Sequence, residues 1–481
     1  MAVISFFKIL SILLAIVGAT FVIPLSVAFA YSETSMYLPF IIPMAASLIF
    51  CAVITFATRK KSFSMTTKQT FLIVALSWIC SMIMGAFPLY FSGCFNSFCD
   101  ALFESFSGFT TTGATILSEV ESLPRSVNML RCLSHWLGGM GIVTLTVAIM
   151  PLLGVGGFQL IKAETTGPQK GKVTSRITTT AKVLWLMYFL LTLLEFICLK
   201  IAGMDFVDAL SHALATLGTG GFSTKNASIG QYNSLAIDII CTVFMFLAGI
   251  NFSLYYYLIA RKFVEIRDNS ELKAYLAIIL VAVAGITISI LPVYKTFGTS
   301  LRYSSFQVAS LLSTTGFSTA DYLQWPSSAQ FWLFILFFIG GCSGSTSGGF
   351  KVIRWVILGK LIGNETKKML HPHGVFTVRL NNSPVKNDIS TGVAAFTTLY
   401  FGLIAITTFA GCLGHLDLYS AFTGAVSIVG NVGPAFGKLG PSFNYGFLPD
   451  FVKYWYCFAM IAGRLELYTI IIFFMPEYWK K

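Results

Sequence analysis

The chain has 481 residues, of which 56% are hydrophobic and only 11% are charged, and its mean hydropathy is +0.77. Soluble domains carry about 25% charged residues, so this composition excludes a soluble enzyme or binding protein and predicts an integral membrane protein. The net charge of +12 does not indicate nucleic-acid binding, because the basic residues fall in alternate loops and form no single patch.

The first apolar run, from Ile9 to Ala30, follows Lys8 and ends in Ala28-x-Ala30, as a signal peptide would. It exceeds the typical signal-peptide core of about 7–15 residues, which favours a retained transmembrane helix. Further runs of about 20 apolar residues, the length that a bilayer requires, recur along the chain. We predict spans near 9–30, 37–57, 70–92, 131–153, 181–202, 236–260, 273–293, 329–350, 390–412 and 451–475.

The loops alternate between basic and acidic character. By the positive-inside rule, the basic loops and both termini lie in the cytoplasm. Cys94 and Cys99 lie in a loop assigned to the outside, where the sequence allows either a disulfide or two free thiols. The basic positions are Arg59, Lys60, Lys61, Lys68, Lys162, Lys170, Lys172, Arg176, Arg261, Lys262, Arg267, Lys351, Arg354, Lys360, Lys367 and Lys368.

Four 14-residue stretches between the spans are too short to cross the bilayer, and each ends in a glycine. Each follows a span and precedes another, so the chain repeats a unit of helix, half-helix, glycine turn and helix. Two leading helices precede the four units. The stretches are DALFESFSGFTTTG (100–113), DALSHALATLGTGG (208–221), YSSFQVASLLSTTG (303–316) and SAFTGAVSIVGNVG (420–433).

Non-helical backbone at membrane depth is tolerated only where it is buried in protein or lines a watery cavity. Four such turns on one axis would offer carbonyl oxygens to a cation, with the negative ends of the half-helices pointing at it. Without a carboxylate ring, a monovalent cation is favoured. Small residues also serve close helix packing, but four equivalent placements favour a pore. Additional hydroxyl ligands are available at Thr111, Thr112, Thr219, Thr314 and Thr315.

Seven phrases spread over the chain resemble the TrkH/TrkG/KtrB/HKT superfamily of potassium transporters, and most closely its TrkH branch. The resemblance implies an all-α integral membrane protein with two leading helices and four helix–pore-loop–helix repeats in a pseudo-fourfold arrangement around one pore. It also implies a homodimer and a cytosolic nucleotide-binding partner of the TrkA (RCK) type. The phrases are FTTTGAT (109–115), HWLGGMGI (135–142), TGGFST (219–224), STTGFST (313–319), GGCSGSTSGGFKVIRW (340–355), GNVGPAFG (430–437) and AGRLELYT (462–469).

By the same resemblance, potassium is bound by the residues just before each of four filter glycines. The fourth loop departs from the threonine pattern with Asn431 and then Pro434, as the TrkH branch itself does. Serine in place of the first glycine accompanies sodium transport in plant relatives, so Gly113 favours potassium. The implied filter residues are Thr111, Thr112, Gly113, Thr219, Gly220, Gly221, Thr314, Thr315, Gly316, Asn431, Val432 and Gly433.

A glycine- and serine-rich segment interrupts the second helix of the third unit. A phosphate-binding loop would need Gly-Lys followed by Ser or Thr, and here Phe350 precedes Lys351. A kinked, closely packed helix is the alternative to the intramembrane gating loop that the resemblance implies. The implied gating-loop residues are Gly340, Gly341, Gly344, Ser345, Thr346, Ser347, Gly348, Gly349 and Lys351.

Arg464 lies near the middle of the last predicted span, with Glu466 two residues later. A charge at that depth is costly and marks an ion pathway by default. Residues two apart on a helix do not face each other, so we do not expect these two to pair directly. The resemblance implies that Arg464 borders the path below the filter and limits cation flux; a structural anchor held by distant carbonyls is the alternative. We expect Glu195 to make an interhelical contact.

The predicted function is potassium uptake across the bacterial inner membrane through a four-loop filter, and not an enzymatic reaction. The alternative is a sodium- or proton-coupled alternating-access transporter, which also uses broken helices but normally shows two halves. Potassium is the substrate, and no organic cofactor is expected. The predicted organisation is leading helices in 1–69 and pore units in 70–153, 181–260, 273–361 and 390–475.

Overall fold

The computed structural model describes residues 2–59, 67–141, 177–381, 383–385 and 387–480. Within these ranges nearly all regular structure is helical; the one strand pair is an antiparallel hairpin of β1 (Arg379–Leu380) and β2 (Ser383–Pro384). Outside the described residues lie the later half of the predicted span 131–153 and the basic positions Lys60, Lys61, Lys162, Lys170, Lys172 and Arg176.

Three leading helices precede the repeated units. The first two, α1 (Ala2–Thr20) and α2 (Val22–Ala30), form one membrane-span candidate, and α3 (Tyr37–Ala57) forms the next. Helix α1 packs against α3 and against α4 (Thr67–Phe91), the first helix of the first unit. The chain is therefore a membrane protein with several apolar spans, and its first span is part of the packed bundle.

The first two units each place a short, mostly buried half-helix between longer helices. In the first unit this half-helix is α5 (Phe98–Phe109), and α6 (Arg125–Gly139) follows it. The second unit consists of α7 (Ile177–Ile201), the half-helix α8 (Phe206–Gly218), α9 (Leu235–Ala248) and α10 (Phe252–Ile259). Side-chain caps begin both half-helices, because the Ser97 and Asp205 side chains accept backbone N–H groups of the first turn.

The third and fourth units repeat the pattern after the short helix α11 (Phe263–Arg267). The third contains α12 (Ser270–Tyr294), the half-helix α13 (Phe297–Leu312), α14 (Ser327–Leu336) and α15 (Val352–Leu370). The fourth contains α16 (Asn387–Leu413), the half-helix α17 (Leu418–Gly430), α18 (Asp450–Arg464) and α19 (Tyr468–Ile471), and α20 (Pro476–Trp479) follows.

The second helices of the last three units are broken. Among the described residues six continuous helices are long and apolar enough to span a membrane, and eight when each bent pair counts as one. The spans predicted over 236–260 and 451–475 are bent: α9 and α10 meet at 93°, and α18 and the following helical segment meet at 112°. The expected interruption of 329–350 is present, since α14 ends at Leu336 and α15 begins at Val352.

The bend between α9 and α10 has an identifiable cause. The Gly249 carbonyl accepts the Cys342 N–H at 2.9 Å, and the Phe252 N–H donates to the Gly344 carbonyl at 3.0 Å. The segment between α14 and α15 thus satisfies the backbone groups that a straight helix would bond internally. Asn251 caps the new helix by accepting the Ser253 N–H.

Candidate cation-conduction site

Four tripeptides that follow the half-helices share one backbone conformation; we call them the filter turns, Thr111–Gly113, Thr219–Gly221, Thr314–Gly316 and Asn431–Gly433. In each turn the first residue is left-handed, with φ of 57°, 53°, 56° and 53° in chain order. Each terminal glycine is also left-handed, with φ of 77°, 81°, 84° and 97°. Non-glycine residues adopt this conformation only at a steric cost, so its fourfold recurrence indicates a shared functional requirement.

The hydrogen bonds of the filter turns recur as well. In the first unit the Thr111 N–H donates to the Gly108 carbonyl at 3.0 Å and the Thr112 N–H donates to the Ser107 carbonyl at 2.9 Å. The corresponding bonds are present in the other three units. In each turn the first two N–H groups therefore bond to the turn's own half-helix. Of the turn carbonyls, that of Gly433 accepts the Tyr445 hydroxyl at 2.7 Å. The bonds that correspond to that of the Thr112 N–H run from the N–H groups of Gly220, Thr315 and Val432 to the carbonyls of Ala215, Ser310 and Ser427, each within 2.9 Å.

The four filter turns form a closed ring. A Cβ atom added to Gly113 would collide with the Gly220 carbonyl oxygen, and one added to Gly221 would collide with that of Thr315. Likewise, a Cβ atom added to Gly316 would collide with the Val432 carbonyl oxygen, and one added to Gly433 would collide with that of Thr112. All four glycines also line one cavity. Each glycine is needed because a neighbouring backbone oxygen occupies the space of its side chain.

The threonine hydroxyls of the ring are mostly engaged by protein groups. The hydroxyls of Thr112 and Thr219 bond Thr110 and the Gly218 carbonyl at 2.8 and 2.7 Å. The Thr315 hydroxyl bonds that of Ser313 at 2.7 Å. The buried hydroxyl of Thr111 has no hydrogen-bond partner among the described residues. The geometry thus favours backbone carbonyls as the principal cation ligands, and Thr111 as the available hydroxyl.

The fourth filter turn breaks the symmetry of the ring. The Asn431 side-chain amide donates to the Thr112 hydroxyl and to the Met460 carbonyl, both at 3.0 Å. Its first contact joins the fourth turn to the first, and its second joins the turn to α18. Asn431 therefore replaces a threonine hydroxyl with a cross-link between units.

The segment Gly340–Lys351, which we call the inner loop, lies directly against the filter turns. The Gly348 N–H donates to the Thr314 hydroxyl at 2.7 Å, and a Cβ on Gly348 would approach the Gly430 carbonyl within 2.7 Å. The Gly340 N–H bonds the Phe350 carbonyl, so the loop closes on itself. A kinked helix is thus excluded: the inner loop consists of turns and bends packed against the filter turns, between α14 and α15.

Arg464 connects the inner loop to the first unit. Its guanidinium donates to the Thr346 carbonyl at 2.9 Å and to the Gly138 and Gly139 carbonyls at 2.7 and 2.9 Å. Arg464 ends α18 at the bend and does not lie within a continuous helix, contrary to the sequence prediction. As expected, Glu466 faces elsewhere; its carboxylate pairs with Arg354 at 2.6 Å. Arg464 is thus held by carbonyls of two other units, as the structural-anchor alternative expects.

Two more charged side chains hold the inner loop. Buried Lys351 donates to the Ser347 carbonyl within the loop. Glu271, at the start of α12, accepts the Ser343 N–H at 2.6 Å and the Ile353 N–H at 3.1 Å. One carboxylate therefore fastens both ends of the loop. Glu271 was not singled out from the sequence, although an acidic residue in the first turn of an apolar helix was the available signal.

Polar side chains behind the filter turns were also not identified from the sequence. The His135 ring bonds the Gly108 carbonyl at 2.8 Å through Nδ1, and its Nε2 accepts the Phe222 N–H at 3.1 Å, which joins the first unit to the second. Glu104 and Arg131 form a buried ion pair at 2.8 Å nearby. Polar residues on otherwise buried half-helix and α6 positions were the signal that could have identified them.

Three smaller sequence predictions concern single side chains and metals. Cys94 and Cys99 are both free thiols. Glu195 is buried, and neither carboxyl oxygen has a hydrogen-bond partner among the described residues. Within the described ranges no group of three or more His, Cys, Asp or Glu side chains is placed to hold a metal ion.

Comparisons with known proteins agree with this geometry. The family model described as TrkH, a cation transport protein, matches residues 39–481. The Trk system potassium uptake protein TrkH of Halomonas elongata is 36% identical over 479 residues, covering 98% of each chain. The Trk system potassium uptake protein TrkG of Escherichia coli K12 is 36% identical over 467 residues, covering 95% of this chain and 94% of its own.

A solved structure is similar over the whole length. The crystal structure of the potassium transporter TrkH from Vibrio parahaemolyticus superposes with a TM-score of 0.88 at 32% identity and covers 100% of both chains. This match confirms the predicted fold class, in which two leading spans precede four helix–pore-loop–helix units around one pore. The chain belongs to the TrkH family of cation transport proteins.

Proposed function

We propose that this protein takes up potassium by passing the ion in single file through the ring of filter turns. The observation that carries the proposal is the closed carbonyl ring, in which four turns of one conformation each pack a glycine against the next turn's oxygen. Carbonyl rings of this kind replace the hydration shell of a monovalent cation. Relatives that match nearly the whole chain are named potassium uptake proteins, which supports potassium as the substrate.

The positions of the ring have different roles. The residue before each glycine presents its carbonyl at a contact between units, and the glycine permits that contact. The half-helices add the negative ends of their dipoles. The proposed potassium ligands and ring glycines are Thr111, Thr112, Gly113, Thr219, Gly220, Gly221, Thr314, Thr315, Gly316, Asn431, Val432 and Gly433.

The inner loop is the proposed gate. It lies below the ring, touches Thr314 and is held by Arg464, whose charge also opposes a cation in the path. Displacement of the loop would open the path while the ring stays intact. The proposed gate residues are Gly340, Gly341, Gly344, Ser345, Thr346, Ser347, Gly348, Gly349 and Lys351.

The assembly in the cell follows from the same family. We place the protein in the bacterial inner membrane with both termini in the cytoplasm, as a homodimer with a cytosolic nucleotide-binding subunit of the TrkA (RCK) type. The support for a multi-subunit system is the name "Trk system" that the relatives carry. The proposed units are the leading helices in 1–69 and pore units in 70–153, 181–260, 273–361 and 390–475.

The test is electrical recording and tracer flux on purified protein in liposomes. We expect potassium currents whose reversal potential follows the potassium gradient, with smaller permeability to sodium. A control reconstitution with Gly221→Val, in which the added side chain meets the Thr315 carbonyl, should lose the currents. Flux that requires a sodium or proton gradient in fixed stoichiometry would replace the channel-like mechanism with alternating access, to which the bends of 93° and 112° would then belong.

A further inference from the structure

A buried ion pair stands behind the first filter turn. Glu104 lies on α5, nine residues before Gly113, and Arg131 lies on α6. The Arg131 Nε and the Glu104 Oε1 are 2.8 Å apart, and the two side chains are only 1% and 0% exposed. The equivalent positions in the other units are His212, Gln307 and Gly424, so among the four units this ion pair belongs to the first alone.

The carboxylate of Glu104 holds the segment that leaves the first filter turn. It accepts the Thr115 hydroxyl at 2.9 Å through Oε1 and the Ile116 N–H at 3.1 Å through Oε2. The Thr115 carbonyl in turn accepts the Tyr445 N–H of the fourth unit at 2.8 Å. Glu104 therefore fixes a segment on which a second unit also rests.

The guanidinium of Arg131 reaches the segment that leaves the second filter turn. It donates to the Ser223 carbonyl at 3.3 Å and to the Asn128 side chain at 2.9 Å, both through Nη1. Its Cζ lies 4.2 Å from the centre of the Phe222 ring, within cation–π distance. Phe222 directly follows Gly221, so the arginine contacts the second unit one residue beyond its filter turn.

We propose that the Glu104–Arg131 pair is a positioning element that sets the spacing between the first and second filter turns and thereby the preference for potassium over sodium. A buried ion pair contributes little net stability but imposes a defined geometry. Here it joins the exits of two adjacent filter turns, whose carbonyl spacing governs which cation replaces its water well. The inference rests on the proposed function, because it presumes that the ring conducts potassium.

The third and fourth units are joined differently. The Tyr322 hydroxyl donates to the Ala435 carbonyl at 2.6 Å, a neutral bond beside the fourth filter turn. At this filter exit the contact between the two units therefore involves no charged group. We expect changes to the ion pair to alter selectivity more than loss of the Tyr322 hydroxyl does.

The experiment compares Glu104→Gln, Arg131→Gln and the double variant with Arg125→Gln. Arg125 is the matched control because its pair with Asp205 also joins α6 to the second unit, but it is water-exposed, with side chains 50% and 47% accessible. The readout is the reversal potential under potassium and sodium gradients, measured on size-exclusion-purified protein in liposomes. We expect each change at the buried pair to lower the permeability ratio by about tenfold, the scale of one lost charged hydrogen bond.

The outcomes separate selectivity from folding. In the double variant the uncompensated charge is gone, so more protein should fold than in either single variant, yet the ratio should remain low. Glu104→Asp keeps the charge but shortens the reach, and it should give an intermediate ratio; this variant decides the matter if the others do not fold. A wild-type ratio in folded double variant or in Glu104→Asp would overturn the proposal while leaving potassium conduction by the unmodified protein intact.

Discussion

The outer and inner halves of the conduction path are built on opposite plans. In the outer half four filter turns share their dihedral angles and their hydrogen bonds to the half-helices. In the inner half the second helices of the last three units are interrupted in different ways: α9 and α10 bend by 93°, the third unit supplies the inner loop, and α18 bends by 112°. Under the proposed function, a ring of equal ligands requires repetition, whereas a gate requires an element that can move.

The two halves also differ in what holds them. Filter turns are fixed by bonds to their own half-helices and by neighbouring backbone. The inner loop is fixed by distant side chains, namely Arg464 of the fourth unit and Glu271 at the start of α12 in its own unit. Local backbone bonds are insensitive to changes elsewhere, but each side-chain contact can be removed alone. Mutations should therefore change selectivity in the outer half and flux in the inner half.

The largest effect is expected for Arg464→Ala, with a rise in rubidium uptake. At about 6 Å and an effective dielectric constant near 20, a fixed charge repels a passing cation by roughly 3 kcal/mol, a barrier factor on the order of a hundred before water in the path reduces it. The substitution also removes the contacts with the Thr346, Gly138 and Gly139 carbonyls. Uptake is measured per molecule of folded, membrane-inserted protein.

Arg464→Lys separates charge from contact. Lysine keeps the positive charge but cannot reproduce a planar fork that donates to carbonyls of two units. If the charge sets the barrier, uptake should stay near that of the unmodified protein. Uptake as high as in the alanine variant would assign the effect to the hydrogen bonds. Lower uptake in Arg464→Ala after normalisation would refute an inhibitory role altogether.

The second-largest effect is expected when the inner loop is shortened by deleting Ser345–Ser347. The deletion removes the carbonyls of Thr346 and Ser347 that Arg464 and Lys351 bind. We expect flux to rise by about tenfold, which corresponds to the loss of one charged hydrogen bond. The rise should be smaller than in Arg464→Ala because the Arg464 charge remains. The potassium-to-sodium permeability ratio should not change, since the filter turns are intact. Loss of flux in a correctly inserted deletion variant would show that the loop supports the open path.

These two predictions address the part of the molecule that the sequence described least well. The terminal glycines of the filter turns could be predicted from local sequence, because glycine adopts a left-handed backbone without the steric cost that the preceding residue has. The bends could not, because their causes are distant: Gly249 bonds Cys342, and Arg464 bonds Gly138. Hydrogen bonds between residues so far apart in the chain produce no recognisable pattern in a single sequence, so the bends could not be predicted from it.

The third prediction concerns the outer half. Gly113→Ser should lower the permeability ratio of potassium to sodium by about tenfold, because the new Cβ meets the Gly220 carbonyl and must displace that ligand. Gly93→Ser is the matched control: its φ of 72° is close to the 77° of Gly113, but no atom lies within 4 Å of an added Cβ. Both variants carry the same backbone strain. Equal ratios in the two variants would argue against the ring.

The smallest effect is expected for Glu195→Gln, on α7 behind the second half-helix. The carboxyl is fully buried, the Thr216 side chain faces it, and neither oxygen has a hydrogen-bond partner among the described residues. A charge buried without a partner is costly, so an uncharged side chain of the same size should be tolerated there. Glutamine has nearly the same shape as glutamate, so the substitution should leave the packing unchanged.

Rubidium uptake and the permeability ratio of Glu195→Gln should therefore stay within about twofold of the unmodified values, with a change in stability below about 1 kcal/mol. Glu104→Gln is the contrasting variant, since it changes one buried glutamate for glutamine but breaks an ion pair that touches two filter exits. The effect of a substitution on the permeability ratio would then depend on whether the residue contacts the filter turns, and not on its burial alone. Abolished uptake in folded Glu195→Gln would show instead that a proton on this carboxyl takes part in transport.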